Sequence, residues 1–303
     1  MVMQVELVRE KQGGRTMLLA VGLVLSSSLL YVLGYSLSKT LVSSYGLSAL
    51  QVTFLRCLLV LVGSLVLLAW PRSGVTQARL LHPPRAWEQR AAAAALVASN
   101  VLAIVAYSLM PVTAASALGF TAPLLLTALG GLLLGERISL GRWLGAASGF
   151  AGMLLIVRPG EGGAWPGILA SIGAAASYAL YQILVRRLRD VANSLDTAMQ
   201  VAVVGFALLA ATMLWFWHQV SAEAFALVLL FTVIQTAALA CIAGALRRGE
   251  ASRLAPWQFS GLLWAMLIDA LLFTTLPSPV SLLGGGLIIA GGLLAQGRER
   301  RTA

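Results

Sequence analysis

Two charged side chains interrupt long apolar stretches of this sequence and are the first candidates for chemistry. Arg56 lies in QVTFLRCLLV, and Asp269 lies in SGLLWAMLIDALLF. A charge deep in hydrocarbon costs roughly 2.5 to 3.5 kcal/mol on insertion scales, so each should face a cavity or a partner. Asp269 would bind a substrate amine or carry a proton, or it would be neutralised at a helix contact. Arg56 would anchor a substrate carboxylate, or it would tie the ends of spans together.

Aromatic and amide side chains in other apolar stretches form a second group of candidate substrate-binding residues. They are Tyr31, Tyr35, Asn100, Tyr107, Tyr178, Gln182, Gln235 and Trp264. A binding site for a small molecule is mostly apolar and aromatic, with a few polar groups that set orientation. Polar side chains also hold helices together in lipid, which is the alternative role. Pro123 and Pro256 each remove a backbone donor and kink a helix, so they are candidates for gating bends or static kinks.

Composition indicates that these residues belong to an integral membrane protein. The chain is 59% hydrophobic and 11% charged, with a mean hydropathy of +0.88, whereas soluble domains carry about 25% charged residues. The formal net charge is +10, but the arginines lie in short segments between apolar stretches. That pattern indicates cytoplasmic loops and not a nucleic-acid surface, so the expected partners are the lipid bilayer and a small-molecule substrate.

Ten apolar stretches of roughly the ~20 residues needed to cross a bilayer are predicted as transmembrane helices. They are residues 17–41, 48–70, 91–110, 114–134, 142–158, 167–185, 197–217, 224–246, 254–275 and 280–296. With the N-terminus in the cytoplasm, all basic residues except Lys39, Arg56 and Arg158 fall in cytoplasmic segments. This asymmetry predicts an inner-membrane protein with both termini cytoplasmic.

The two halves of the chain resemble each other. LGAASGFAGMLL at 144–155 and LGGGLIIAGGLL at 283–294 share six of twelve residues at an offset of 139, and Tyr31 to Leu41 aligns with Tyr178 to Leu188. Because each half holds an odd number of spans, the second half must enter the membrane from the opposite side. The predicted fold class is therefore all-α, with ten transmembrane helices in two inverted five-helix repeats at 17–158 and 167–296.

One long motif resembles a known family. The segment PVTAASALGFTAPLLLTALGGLLLGERISLGRWLGAASGFAGMLLIVRPG is similar to the first-half signature of the EamA-type drug/metabolite transporters, and ASRLAPWQFSGLLWAMLIDALLF is similar to the second half. The resemblance implies a ten-helix carrier of small organic metabolites, often directed outward. Two departures stand out: Thr275 lies opposite Glu136 of the Gly-Glu turn, and Asp269 replaces a residue that is usually small.

These observations predict a secondary active transporter that works by alternating access. The leading expectation is export of a small amphoteric metabolite, an amino acid or an amino-acid derivative such as a metallophore. The alternative is import of a nucleoside-containing metabolite or vitamin, similar to S-adenosylmethionine or riboflavin. An enzyme is not expected, because His82 and His218 lie at opposite membrane faces and no HExxH, GxSxG or phosphate-loop motif occurs. With only Cys57 and Cys241 and no ligand cluster, no metal or other cofactor is expected, and the protein would act as a monomer or homodimer.

Overall fold

The computed structural model describes most of the chain. The described residues are 2–69, 82–119, 140–157, 165–188, 190–248, 260–272 and 278–297, together with 121–122, 125–126, 129, 254 and 257–258. Structural statements below concern these residues. The Gly-Glu turn with Glu136, Thr275, and both predicted gating residues, Pro123 and Pro256, lie outside them.

The described residues form helices and turns, with no strand among them. The helices are α1 (Val2–Ser43), α2 (Ala49–Leu68), α3 (Ala86–Leu109), α4 (Val112–Gly119), α5 (Leu140–Val157), α6 (Trp165–Arg187), α7 (Ser194–Ala210), α8 (Ala222–Arg248), α9 (Ser260–Leu272) and α10 (Pro279–Gly297), and a single helical turn, Met213–Phe216, follows α7. Each of the ten predicted spans contains one of these helices or part of one. The predicted all-α membrane fold is therefore confirmed.

Length and hydropathy agree with membrane crossing. Within the described residues, five helical segments are long and apolar enough to span a bilayer: Thr16–Ser43, Ala49–Leu68, Ala86–Leu109, Trp165–Arg187 and Ala222–Arg248. Three shorter apolar helical segments accompany them, at Leu195–Ala210, Ser260–Leu271 and Leu282–Gly291. Many leucines and tryptophans on their outer faces are exposed, as expected where a helix meets lipid.

Local sequence fixes where several helices begin. Ser48 caps α2 by accepting a hydrogen bond from the Gln51 amide at 3.1 Å. Asn193 and Asp196 form a reciprocal capping box at the start of α7, each side chain accepting from the other's backbone amide at 2.8 Å. Side-chain acceptors of this kind satisfy amides that have no partner inside the helix. The turns therefore end one span and begin the next within a few residues.

The helix pairing obeys a two-fold relation between the halves. α5 packs closely on α10 and α2 packs on α7, so that each of these helices contacts its own equivalent in the other half. α3 packs on α6, and the equivalent pair, α8 on α1, is packed to a similar extent. A repeat whose interhelix contacts recur after exchange of the halves is the arrangement expected of inverted repeats.

Two hydrogen bonds show the same relation at atomic detail. The Ser27 hydroxyl of α1 donates to the Ala238 carbonyl of α8 at 2.8 Å, and the Ser99 hydroxyl of α3 donates to the Ala174 carbonyl of α6 at 2.9 Å. Ala174 aligns with Ser27 in the repeat, and Ala238 lies 139 residues after Ser99, the separation also seen between Ser148 and Leu287. Equivalent positions make both bonds, with donor and acceptor exchanged.

Small residues bring α5 and α10 into backbone contact. A Cβ atom added at Gly291 of α10 would lie 2.6 Å from the Gly145 carbonyl oxygen and 3.0 Å from the Gly149 nitrogen of α5. The Ser148 hydroxyl also donates to the Leu287 carbonyl at 3.0 Å across this interface. The glycine-spaced pattern in the sequence is thus explained by close helix packing.

We expect Gly291→Ala to lower the thermal stability of the detergent-purified protein, because the new methyl group meets rigid backbone atoms of α5. Overpacking of this kind costs about 1 to 3 kcal/mol. Gly286→Ala on the same helix is the matched control, since a Cβ there meets no atom within 4 Å. Equal unfolding temperatures for the two variants would contradict the close α5–α10 contact.

Candidate functional site

A cavity of about 140 Å³ lies among the helices at the centre of the protein. Helices from both halves contribute to its wall, which is mainly aromatic, hydroxyl-bearing or small. The lining residues are Ser27, Ser28, Tyr31, Val32, Tyr35, Ser99, Ala103, Tyr107, Ala115, Ser116, Gly119, Ala122, Ser171, Ala174, Ala175, Tyr178, Ile242, Gln258 and Gly261. We call this cavity the ring chamber, for the tyrosine rings in its wall.

Five of the six tyrosines of the chain form one continuous series of ring contacts, which we call the tyrosine ladder. The ring centroids of Tyr107 and Tyr35 lie 4.8 Å apart and nearly parallel, and those of Tyr35 and Tyr31 lie 6.3 Å apart. Tyr31 then meets Tyr178 edge to face at 6.0 Å, and Tyr178 stacks on Tyr181 at 5.8 Å. The ladder runs from α3 through α1 to α6, and its first four members line the ring chamber.

Hydrogen bonds hold two of these rings at fixed positions. The Tyr35 hydroxyl donates to Asn100 Oδ1 at 3.0 Å. The hydroxyls of Tyr107 and Ser116 lie 2.8 Å apart and share a hydrogen bond. The predicted binding residue Asn100 therefore acts behind the wall, where it orients Tyr35, and not on the chamber surface. The two hydrogen bonds therefore fix the orientation of the Tyr35 and Tyr107 rings before any ligand binds.

Amides contribute to another part of the wall. Gln258 Nε2 donates to Gln182 Oε1 at 3.4 Å, and the Ser28 hydroxyl donates to the Gln258 carbonyl at 3.4 Å. Gln182 thus supports the chamber through Gln258, and its own Nε2 has no partner among the described residues. Gln258 and Gly261, three residues apart within the ninth predicted span, both line the chamber.

The described lining of the ring chamber carries no formal charge. Parallel and edge-on tyrosines attract flat rings, because aromatic pairs prefer offset-stacked or edge-to-face geometry. Hydroxyl and amide groups around them offer hydrogen bonds to ring nitrogens and carbonyl oxygens. Chemically, the chamber is suited to a planar, polar and uncharged ring.

Asp269 lies outside the chamber wall, at the start of α4. Its carboxylate is 3% exposed and accepts hydrogen bonds from the Thr113 amide at 2.6 Å and from the Thr113 hydroxyl. Thr113 is the second residue of α4, so the acid from α9 occupies the role of an N-cap side chain. Nearby, Lys39 Nζ of α1 donates to the Met110 carbonyl at 3.2 Å. These contacts favour the helix-contact role for Asp269.

Arg56 lines a different and smaller pocket, at the junction of α2, α7 and α8. Its side chain is 4% exposed, and Nη1 has no hydrogen-bond partner among the described residues. Asp269 instead bonds to Thr113, so no contact between these two charges is found in this part of the chain. The two charges that stand out in the apolar stretches of the sequence are therefore not brought together.

Two further predicted residues lie away from the ring chamber. Gln235 is fully buried against α1 at Gly34, where an added Cβ would lie 2.9 Å from the Gln235 side chain. Trp264 packs against the cluster that includes Val32 and Tyr107. Both are helix-contact residues in this structure.

Sequence reasoning missed the small hydroxyl residues of the chamber. Ser27, Ser28, Ser99, Ser116 and Ser171 all line it, yet serine occurs throughout the apolar stretches. The signal available was their position, since each of them except Ser116 lies on the same helix face as a predicted tyrosine. No group of three or more His, Cys, Asp or Glu side chains that could hold a metal is found in the described residues.

Comparison with known proteins identifies the chain. The profile of the EamA-like transporter family matches residues 18–158 and again residues 165–295. A riboflavin transporter of Vibrio cholerae is 28% identical over 183 residues, covering 59% of this chain and 61% of that protein. An S-adenosylmethionine uptake transporter of Rickettsia prowazekii is 24% identical over 197 residues, covering 64% of this chain and 66% of that protein. This chain therefore matches somewhat under two thirds of each relative's length.

A solved structure supports the fold independently. One crystal structure superposes with a TM-score of 0.69 at 20% identity, covering 95% of this chain and 98% of the other. Likeness at this identity concerns the fold alone.

We expect Asp269→Ala to destabilise the protein by about 1 to 2 kcal/mol, the usual loss of a capping acceptor. Asp269→Asn should be milder, because the amide oxygen still accepts from Thr113. Thr113→Val, which removes only the hydroxyl donor, is the partner variant. Thermal unfolding of all three in detergent gives the comparison.

The same variants separate capping from proton coupling. Transport by Asp269→Asn across pH, at matched expression, should follow the wild-type profile. A variant that is stable but has lost the pH dependence would show that Asp269 carries a proton and would overturn the capping role.

Proposed function

Because the chain belongs to the EamA-like transporter family, we propose that it is a secondary carrier of a planar, ring-bearing metabolite. The substrate class is the nucleoside-containing metabolite or vitamin, and the direction is uptake. The observation that carries the proposal is the tyrosine ladder along an uncharged chamber. Export of an amphoteric amino acid needs a cation and an acid near one substrate, whereas the described chamber wall offers neither.

The size of the chamber fits the proposal. Its volume of about 140 Å³ is close to that of an engineered cavity of about 150 Å³ that binds benzene. A single ring system therefore fills it in this conformation, and the rest of a larger substrate extends beyond it. Four tyrosine rings give that ring system stacking partners on more than one side.

The relatives support the same class. One is named for riboflavin and the other for the uptake of S-adenosylmethionine, and both compounds carry a fused heteroaromatic ring. The second name also supports inward transport. Since a secondary carrier is reversible, the gradient across the membrane sets the net direction.

Alternating access supplies the mechanism. We propose that the repeats 17–158 and 167–296 move as units about the ring chamber, which exposes it to one side at a time. Tyr31 and Tyr178 occupy equivalent positions in the two repeats and contact each other at 6.0 Å. A ring bound beside this pair touches both halves, so movement of one half against the other changes its access.

Binding should depend on the ladder. We expect Tyr35→Leu to weaken ring binding about three- to tenfold, because a stacked pair contributes about 0.5 to 1.5 kcal/mol beyond its buried area. Tyr45→Leu is the control, since Tyr45 lies outside the ladder with its hydroxyl 3.4 Å from Glu223. The assay is competition for riboflavin or S-adenosylmethionine uptake into proteoliposomes, with adenosine and free amino acids as competitors. Strong competition by aliphatic amino acids and none by ring compounds would refute the proposed substrate class.

Orientation is tested separately. We propose an inner-membrane location with both termini cytoplasmic, on the basis of the arginine distribution. Cysteines introduced at Gly162 and Thr302 of a variant lacking Cys57 and Cys241 should be labelled from opposite sides by an impermeant maleimide. Labelling of both from the same side would disprove this topology.

A further inference from the structure

We propose that Arg56 and the polar atoms around it form a subsite for a carboxylate of the substrate, next to the ring chamber. The inference rests on the proposed function, in that the ring lies in the chamber and the acidic group reaches past it. The supporting observation is that polar atoms of Arg56 and Thr236 are buried and have no hydrogen-bond partner among the described residues.

The buried Arg56 side chain carries a charge that needs a partner. The side chain is 4% exposed in the middle of an apolar helix, and its Nη1 lacks a hydrogen-bond partner among the described residues. An ionised group in a membrane interior is usually paired or faces a cavity. Removing the counter-charge from a buried pair is strongly destabilising. An anion from outside the chain would supply the missing partner.

The residues around Arg56 add a second hydrogen-bond donor to its pocket. Thr236 of α8 lines the same pocket as Arg56, and its hydroxyl is also buried without a partner in the described part of the chain. A guanidinium beside a free hydroxyl offers several donors to a carboxylate, which prefers charge-assisted bonds to such groups. The other described lining residues are apolar except for Cys57, so no acid there competes for Arg56.

The Arg56 pocket lies next to the ring chamber. Leu239 of the Arg56 pocket and Ile242 of the chamber wall lie one turn apart on α8. Cys57, next to Arg56 in the chain, belongs to the same buried cluster as Tyr181, and Tyr31 packs against that cluster. Tyr181 ends the tyrosine ladder, and its buried hydroxyl has no partner among the described residues. The ladder thus leads from the ring site toward the arginine.

The volume of the Arg56 pocket limits which part of a substrate can bind there. The Arg56 pocket has a volume of about 10 Å³, close to the minimum that holds one water molecule. Only a small terminal group, such as one end of a carboxylate, enters it in this conformation. A second ring is excluded, so the two sites divide a substrate into a ring and an acidic end.

Formate tests the subsite without any ring. In HEPES–Tris buffer, which contains neither chloride nor a carboxylate, sodium formate should raise the unfolding temperature of the purified wild-type protein by several degrees in a saturable way. Arg56→Met should lose this shift, and Arg56→Lys should keep part of it, because the charge remains without the planar fork. Arg248→Met is the control, since Arg248 is exposed and its Nη1 donates to the Gly244 carbonyl at 3.0 Å. Absence of a shift in wild type, or an equal shift in Arg56→Met, would overturn the proposal.

A second variant guards against misfolding of Arg56→Met. Thr236→Val keeps the shape of the side chain and removes only the hydroxyl, so it should weaken formate binding severalfold in a folded protein. Chloride is titrated in parallel. A chloride shift as large as the formate shift at the same concentration would assign the site to a free inorganic ion and overturn the carboxylate assignment.

Ring compounds separate this proposal from the proposed function. Nicotinate and nicotinamide share a ring and differ in the acidic group, so wild type should be inhibited more strongly by nicotinate. Arg56→Met should lose that preference and still be inhibited by nicotinamide. If neither compound competes while formate stabilises wild type through Arg56, the ring proposal fails and the anion subsite stands.

Discussion

A polar group inside hydrocarbon is costly unless it has a hydrogen-bond partner, and this constraint organises much of the structure. Several hydroxyls in the spans meet it locally by donating to the carbonyl four residues earlier, at 2.7 to 2.9 Å, as do Ser36, Thr53, Ser64 and Thr232. Such bonds stay within one helix and position nothing else. The informative groups are those whose partners lie on another helix. Tyr35 with Asn100, Ser27 with Ala238 and Ser99 with Ala174 are of this kind, and at least one member of each pair lines the ring chamber.

Hydropathy and charge predicted the spans because they are properties of whole segments. Each predicted span contains a helix, and the tyrosines at repeat-equivalent positions lie in the chamber. Arg56 and Asp269 were the exception. The sequence places each of them within a span, but position along a span does not fix the direction in which a side chain points. Asp269 instead accepts a hydrogen bond from the amide of Thr113. That amide has no acceptor within its own helix, because Thr113 lies in the first turn of α4.

The chamber serines escaped prediction for a related reason. A serine that bonds its own helix and one that bonds a neighbouring helix look identical in sequence. Ser36 donates to Val32 on its own helix, whereas Ser27 donates to Ala238 on another. The difference depends on which helices pack together, and that is a tertiary property. Repeat alignment is the available remedy, since Ser27 and Ser99 make equivalent bonds with their roles exchanged.

The two-fold relation also explains why the chamber lies where it does. A residue that contacts its own repeat equivalent must lie close to the axis that relates the halves. Tyr31 and Tyr178 satisfy this condition in the chamber wall, and Ser148 and Leu287, 139 residues apart, satisfy it between α5 and α10. The axis therefore passes through the chamber and along the glycine-rich interface. Helices that pack through backbone atoms at one point of the axis resist separation there, whereas Tyr31 and Tyr178 meet through their side chains. The halves thus have a close backbone contact at α5 and α10 and a side-chain contact at the ring chamber, which is the arrangement that the proposed alternating access requires.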